Sequence, residues 1–259
     1  MVFAAIRPGK EVVMRKISIF CAGIFFSLAM VSGAAEQSFE TDVFHTAQGD
    51  LTITFIGHGT LMMSIGGKVI HVDPVGQYAD YARLPKADLI LITHEHSDHL
   101  DLRAVERIRT AATAVVANGT AGRQLKGSIV MKNGDVGEAG GFRIEAVPAY
   151  NLVHMRSFGV PYHPKGTGNG YVVTCGGKRI YIAGDTENTP EMKALKGIDI
   201  AFLPMNLPYT MTPEMVADAA RAFRPRVLYP YHFGATATSK LKDLLKSEKD
   251  VEVRIRKMN

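Results

Sequence analysis

The chain has 259 residues, of which 46% are hydrophobic and 21% are charged, with 25 glycines and 12 prolines. This composition is typical of a globular protein and excludes collagen-like, disulfide-rich and wholly disordered chains. The formal net charge of +5 is small for this length. The sequence therefore does not predict nucleic-acid binding, which requires basic residues gathered on one face.

The first 35 residues have the pattern of a signal peptide. Arg15 and Lys16 precede an uncharged apolar stretch, residues 17–31, and small residues follow at 32–35. The apolar stretch is shorter than the roughly 20 residues that span a bilayer, so a retained membrane anchor is the weaker alternative. We expect cleavage near Ala34.

Export has three consequences for the remaining chain, residues 36–259, which we take as one domain. We expect a periplasmic or secreted protein with no stable membrane insertion after cleavage. The leader holds four of the 30 basic and one of the 25 acidic residues, so 26 basic and 24 acidic residues remain. Cys175 becomes the only cysteine, so no intramolecular disulfide can form.

Short runs rich in β-branched and aromatic residues recur along the mature chain, bounded by glycine or proline, and predict strands. The predicted strands are 51–55, 61–65, 68–72, 89–93, 113–117, 128–132, 142–147, 171–175, 179–183, 200–204, 226–230 and 251–255.

Helices are predicted between several of these strands. Apolar residues at 102, 105 and 108 have helical spacing, and a further helix is expected around 241–245. Thr189 and Thr212 each precede a proline, which predicts an N-cap followed by a proline at the first helical position. The alternation of strands and helices predicts a layered α/β fold.

Two segments of the chain resemble each other. Residues 61–74 and 171–185 each contain a strand, a Gly-Gly turn, a lysine, a second strand and an aspartate. Gly-Gly hairpins are common, so coincidence remains as good an explanation as duplication. If the repeat is real, Asp73 and Asp185 occupy matching strand ends.

The segment HEHSDH follows the apolar strand 89–93 and carries His94, His96, Asp98 and His99. Imidazole nitrogens and carboxylate oxygens suit Zn²⁺, and four such groups within six residues on a short loop predict a metal site. Farther along, Asp185 and His232 each follow a predicted strand. Strand ends are where open α/β sheets collect ligands.

The order of these motifs resembles the metallo-β-lactamase superfamily: HxHxDH after an apolar strand, Gly-Asp-Thr after another, and a histidine after a third. IGHGT, HVDP and LPY-MTPE are also similar to its stand-alone branch, which includes ascorbate-6-phosphate lactonases and N-acylphosphatidylethanolamine phospholipase D-like proteins. The resemblance runs from about Leu51 to the C-terminus. It implies an αββα sandwich in a single domain.

The resemblance also implies roles for individual residues. His94 and His96 would bind a first metal ion, His99 and His232 a second, and the Asp185 carboxylate would bridge them. Asp98 would be the catalytic residue that binds or orients the nucleophile.

Two further residues, His58 and Asp73, are expected to border the site. Asp73 would orient a ligand histidine, unless it only caps the turn before Pro74. His58 would contact substrate or a metal-bound water, with a structural hydrogen bond as the alternative.

The sequence departs from the family at Asn151, where relatives usually have a third histidine for the first metal. Asparagine is a poor zinc ligand, so Asn151 is expected beside the site in a supporting role. His154 and His163 lie just downstream, and either could replace the missing ligand. We favour His163, because neighbouring glycines give its segment conformational freedom.

The expected function is hydrolysis by a metal-bound hydroxide, with one or two Zn²⁺ ions or another divalent metal. The substrate would be a small ester, lactone or phosphodiester. Arg156 and Lys165 would favour an anionic substrate, unless they are merely solvated. The rival hypothesis is a non-catalytic metal- or ligand-binding protein with the same fold. The oligomeric state and the start codon, Met1 or Met14, stay open.

Overall fold

The chain folds into two seven-stranded sheets that share one hydrophobic core. The computed structural model describes residues 1, 2, 4, 9 and 37–258. The predicted signal peptide therefore lies outside the described residues, apart from four positions. Residues 37–259 form one compact unit.

The first sheet has the strand order β1-β2-β3-β4-β5-β6-β7. Its strands are antiparallel from β1 to β4 and parallel from β4 to β7. Their bounds are β1 Glu40–Thr46, β2 Gly49–Gly57, β3 Thr60–Ile65, β4 Lys68–Val72, β5 Leu89–Ile92, β6 Ala114–Ala117 and β7 Ile129–Val130.

The second sheet has the order β8-β9-β12-β13-β14-β15-β16. It is antiparallel from β8 to β13 and parallel from β13 to β16. A separate hairpin, β10 with β11, connects β9 to β12. The bounds are β8 Val136–Ala139, β9 Phe142–Ala149, β10 Met155–Ser157, β11 Val160–Pro161, β12 Gly168–Cys175, β13 Lys178–Ile182, β14 Ile200–Pro204, β15 Val227–Tyr231 and β16 Glu252–Val253.

Helices cover the outer faces of both sheets. The helices are α1 Leu102–Ile108, α2 Gly119–Gly122, α3 Pro190–Lys193, α4 Pro213–Phe223 and α5 Ser239–Leu245. The buried side chains of α1 pack with the outer face of β5 and β6, whereas Phe223 of α4 packs edge-on against Tyr181 of β13. The layers are therefore helix, sheet, sheet, helix, which confirms the predicted sandwich.

The strands predicted from the sequence are all present, with ends shifted by a few residues. Both predicted N-caps are also present, because the Thr189 and Thr212 hydroxyls accept hydrogen bonds from the amides of Met192 and Met215. Four elements, β1, β8, α2 and the β10–β11 hairpin, have no predicted counterpart in the sequence. None of the described helices is long and apolar enough to cross a membrane.

The two similar segments form matching hairpins. Gly66 and Gly67 connect β3 to β4 with φ values of 55° and 77°, and Gly176 and Gly177 connect β12 to β13 with 57° and 80°. Two positive φ angles are what a tight hairpin turn of this hand requires, and glycine adopts them without a steric penalty. Cys175, just before the second turn, is fully buried, and this burial raises the pKa of its thiol to about 12.

Candidate metal centre

The predicted ligands meet at one edge of the sandwich, because each follows a strand that ends there. The HEHSDH loop lies between β5 and α1, Asp185 lies just after β13, and His232 follows β15 directly. These strands belong to different sheets, so the site spans both.

The first group of ligands comprises His94, His96 and His163, with one ring nitrogen of each within 4.8 Å of the others. Nε2 of His163 lies 3.3 Å from Oδ2 of Asp185, and Nε2 of His94 lies 3.9 Å from the same oxygen. The structure thus brings His163, from the segment before β12, beside the two histidines of the HEHSDH loop. His154 is elsewhere, with its Nδ1 2.6 Å from Glu187.

The second group comprises Asp98, His99 and His232, together with His58. Oδ2 of Asp98 lies 3.1 Å from Nε2 of His58, 3.4 Å from Nε2 of His232 and 3.8 Å from Nε2 of His99. The Asp98 side chain is 42% exposed, so it is the acid of this site that faces the solvent.

Asp185 lies between the two groups. Its Oδ2 faces His94 and His163, whereas its Oδ1 is 3.4 Å from Nε2 of His99 and 3.5 Å from Nε2 of His232. Oδ1 of Asp185 and the Nε2 atoms of His94 and His99 are buried without a hydrogen-bond partner. Buried polar atoms are normally paired, so convergent unpaired imidazole and carboxylate atoms fit a cation bound among them.

The electrostatics of the cluster agree with this fit. Burial lowers the pKa values of His94, His96 and His232, which favours the neutral imidazoles that bind metals. Burial would raise the pKa of the Asp185 carboxyl, but His232 and His99 hold it well below its usual value.

The pKa values of His99 and Asp98 are shifted as well. Burial would lower the pKa of His99, but the carboxylates of Asp185 and Asp73 raise it well above its usual value. Burial would raise the pKa of Asp98, whereas hydrogen bonds to His232 and His58 lower it. A bound metal ion would compensate the same carboxylates.

Asp73 holds one of the ligand histidines. It is fully buried, and its Oδ2 accepts hydrogen bonds from Nδ1 of His99 at 2.8 Å and from the Thr93 hydroxyl at 2.6 Å. Its Oδ1 accepts from the Thr93 amide at 2.8 Å. Fixing the proton on Nδ1 leaves Nε2 of His99 directed at the site.

Asn151 contacts Nδ1 of His163 in the same way that Asp73 contacts Nδ1 of His99. Its Oδ1 accepts hydrogen bonds from the amide and from Nδ1 of His163, each at 2.8 Å. Nε2 of His163 is therefore left facing Asp185. The residue that breaks the family pattern thus orients His163, the candidate replacement for the missing histidine.

Glu187 is a residue of the site that the sequence analysis missed. It is fully buried and accepts hydrogen bonds from Nδ2 of Asn151 and from the backbone amides of residues 152–154. Burial would raise the pKa of its carboxyl, but the hydrogen bonds from Asn151 and these amides lower it. The only signal in the sequence is its position two residues after Asp185.

Three residues of the site have left-handed backbone conformations, with φ of 52° at His58, 44° at Asp73 and 43° at His232. Residues with side chains rarely adopt this region. Backbone hydrogen bonds hold it at His58, whose amide donates to the carbonyl of Met258 and whose carbonyl accepts from the amide of His232 at 2.9 Å. Such strain is typical of functional sites.

Gly59, next to His58, allows the close approach of two site histidines. A Cβ atom at this position would lie 2.8 Å from Cε1 of His99 and 3.5 Å from Cδ2 of His232. The glycine of the GHGT motif is therefore required by packing against the cluster.

The cluster opens into a cavity of about 470 Å³. Asp98 and Asp185 line its floor, and Arg156, Tyr162 and Tyr209 line its walls. The guanidinium of Arg156 lies 6.0 Å from the centre of the Tyr162 ring, and Tyr162 packs edge-on against Tyr209.

Lys165, which the sequence analysis grouped with Arg156, has a different environment. Its ammonium group donates hydrogen bonds to Glu191 at 2.9 Å and to the Tyr150 hydroxyl at 3.2 Å, and it does not line the cavity. Of the two basic residues, only Arg156 is placed to meet a substrate.

A sandwich of two mixed sheets between helices, with a His/Asp cluster at its edge, defines the class of metal-dependent hydrolases with the metallo-β-lactamase fold. Comparison with known proteins agrees. Residues 52–232 match the model of the β-lactamase superfamily domain. A protein of Flavobacterium johnsoniae described as a metal-dependent hydrolase is 35% identical over 199 residues, covering 71% of this chain and 84% of the relative.

Two solved structures extend the comparison. A candidate metal-dependent hydrolase of Parabacteroides distasonis is 51% identical with a TM-score of 0.81, covering 86% of this chain and 100% of the other. A metallo hydrolase of Ignicoccus hospitalis is 27% identical with a TM-score of 0.66, covering 81% and 96%. The chain belongs to the metallo-β-lactamase superfamily, as a hydrolase of its stand-alone branch.

Proposed function

We propose that the protein hydrolyses a small anionic ester, lactone or phosphodiester with the help of one or two Zn²⁺ ions. The observation that carries this proposal is the position of Asp185, whose two carboxylate oxygens face separate groups of histidines at the floor of a cavity. Another divalent metal is the alternative to zinc.

Seven side chains would hold the metal. His94, His96 and His163 would bind at one position, Asp98, His99 and His232 at the other, and Asp185 would serve both. When bound, zinc lowers the pKa of a coordinated water to about 7 and polarises a carbonyl or phosphoryl oxygen.

The residues around the metal positions have distinct tasks. Asp98 is the solvent-facing carboxylate, so it would accept a hydrogen bond from the attacking water and orient it. His58 would restrain Asp98 through the 3.1 Å contact. The Asn206 side chain lines the cavity and would donate a hydrogen bond to the substrate.

Arg156 is the basis for an anionic substrate. Within the described part of the chain, its guanidinium has no carboxylate partner. An unpaired guanidinium at the wall of a cavity is suited to bind a carboxylate or phosphate. Tyr162 and Tyr209 would contact less polar parts of the same molecule.

The test is turnover of lactone, phosphodiester and β-lactam panels, in charged and neutral forms, by zinc-loaded and metal-free protein. We expect hydrolysis of an anionic lactone or phosphodiester only with metal. Arg156→Ala should raise KM about 10-fold or more for that substrate, whereas Lys165→Ala, the matched control, should not.

The same experiment decides against the rival hypothesis. A non-catalytic binding protein would retain metal and bind ligands without turnover on any panel. Equal KM values for the Arg156→Ala and Lys165→Ala variants would remove the argument for an anionic substrate.

We also propose export, with cleavage near Ala34, on the sequence pattern alone. N-terminal sequencing of the mature protein tests it, and a mature form that retains residues 17–31 would favour a membrane anchor. No nucleic-acid partner is proposed.

A further inference from the structure

Glu187 is a buried carboxylate without a lysine or arginine partner among the described residues. Its Oε1 accepts from Nδ2 of Asn151 at 3.1 Å, and from the amide and Nδ1 of His154 at 2.8 and 2.6 Å. Its Oε2 accepts from the amides of Leu152 and Val153, both at 2.7 Å. Every hydrogen bond of this carboxylate therefore holds the start of one segment, residues 151–154.

The contact to Asn151 determines how its amide group is oriented. A side-chain amide has a donor end and an acceptor end. Nδ2 of Asn151 donates to Glu187 and, at 2.9 Å, to the carbonyl of Tyr209. Both partners can only accept, so the donor end must face them.

The orientation of Asn151 in turn determines the protonation of His163. With the acceptor end of Asn151 2.8 Å from Nδ1 of His163, the ring carries its proton on Nδ1. Its Nε2 then has a free lone pair, 3.3 Å from Oδ2 of Asp185. If the amide were reversed, Nδ2 would face Nδ1, and the proton would move to Nε2.

We infer that Glu187 is a positioning residue of the metal centre, which acts through Asn151 to keep Nε2 of His163 available as a ligand. This inference rests on the proposed function, because it assigns a task in the first metal position. Glu187 shares this task with the Tyr209 carbonyl and the His163 amide, which also fit only the observed orientation of Asn151.

Glu187→Gln tests this chain of contacts with almost no change of shape. A glutamine places a donor either against the amides of Leu152 and Val153 or against those of Asn151 and His154, so one set of bonds is lost. We expect Co²⁺ and Zn²⁺ to bind the first position about 10–100-fold more weakly, as is typical when an outer-sphere partner is removed.

Two measurements on the full-length protein separate positioning from a general loss of structure. Calorimetric titration of the metal-free protein with Zn²⁺ gives the affinities and the stoichiometry. Long-range ¹⁵N–¹H NMR of the histidine rings shows which nitrogen of His163 is protonated. We expect Nδ1 in the wild type and a mixture of both tautomers in Glu187→Gln.

Glu191→Gln is the matched control. Glu191 accepts hydrogen bonds from Tyr150 and Lys165 in the same region, but it has no contact to Asn151. It should retain wild-type metal affinity and the Nδ1 tautomer. The second variant is Glu187→Asp, which keeps the charge and introduces no amide, but shortens the side chain and so withdraws the acceptor from Nδ2 of Asn151.

Wild-type zinc affinity and an unchanged His163 tautomer in every folded Glu187 variant would overturn the inference. A lower free energy of unfolding with the same tautomer would show a structural role only, and would overturn it too. If the wild type bound no zinc, the proposed function would fail, while the NMR measurement would still report on Glu187 and His163.

Discussion

The two sheets have the same strand order and the same change from antiparallel to parallel pairing, but their corresponding aspartates have different environments. Asp73 follows β4 and Asp185 follows β13, each after a Gly-Gly hairpin. Both oxygens of Asp73 are engaged by Thr93 and His99, whereas Oδ1 of Asp185 has no hydrogen-bond partner. A carboxylate is available to a metal only where the surrounding side chains leave its lone pairs free.

The corresponding connections differ in length. In the first sheet, β2 is joined to β3 by His58 and Gly59 alone, while in the second, β9 is joined to β12 by residues 150–167. The short connection places one histidine beside Asp98. The long one carries Asn151, Arg156 and His163, so it supplies both a candidate metal ligand and residues that line the cavity.

The largest expected difference in activity is between substitutions of Asp185 and of Asp73. Asp185→Asn should reduce kcat/KM more than about 1,000-fold and remove metal, because it takes away the charge shared by both ligand groups. Asp73→Asn should reduce kcat/KM by about 10–100-fold, since Asp73 acts through His99. Steady-state kinetics and elemental analysis measure both variants. Equal losses would mean that the two positions do not differ as described.

The second largest expected effect is on metal content, from substitutions in the connection between β9 and β12, residues 150–167. His163→Ala should lower the metal content by up to one ion per chain, because it removes a ligand of the first position. His154→Ala removes a ring bonded to Glu187 and should leave the metal content unchanged. Two tightly bound metals in both alanine variants would exclude His163 as a ligand.

A substitution in the connection between β2 and β3 should have a smaller effect, on metal affinity. Gly59→Ala would place a Cβ 2.8 Å from the His99 ring, so we expect metal affinity at the second position to fall about 10-fold. Gly137→Ala, where a Cβ would meet no atom within 4 Å, is the control. Zinc titrations of the two variants should differ, and matching affinities would show that the site tolerates the methyl group.

The smallest expected effect is on stability alone. Gly66→Ala and Gly176→Ala impose the same backbone strain, about 1–2 kcal/mol. The added Cβ at residue 176 would also collide with Thr46 and lie 2.7 Å from Ile65, while at residue 66 the nearest atom is 3.7 Å away. Denaturant unfolding should therefore show a larger loss for Gly176→Ala, by about 1–3 kcal/mol of overpacking. Turnover should not change, and equal losses would contradict this account.

Much of the fold could be predicted from the sequence because buried strands have apolar runs bounded by turn residues. β1 escaped prediction because it is an edge strand with half-exposed side chains, which weakens the apolar signal. The β10–β11 hairpin has exposed residues on both strands and belongs to neither sheet, so no burial pattern marks it.

The convergence of the histidines and aspartates could be predicted, because strand ends at one edge meet by topology. The side chains that hold these residues in place could not be predicted. The task of Glu187 depends on which way its carboxylate faces, and spacing along the chain does not contain that direction. For the same reason Arg156 and Lys165 look equivalent in the sequence, although one lines the cavity and the other binds Glu191.

The left-handed conformations of His58, Asp73 and His232 set a limit on engineering. Each costs about 1–2 kcal/mol of backbone strain that glycine would not incur, but glycine would also remove the buried side chains of Asp73 and His232. The strain is therefore held by the contacts of the same side chains that form the site, and glycine at Asp73 would leave the Thr93 and His99 donors without a partner. Stabilisation is better sought at the opposite edge, where hairpins and exposed strands can be changed without exchanging activity for heat resistance.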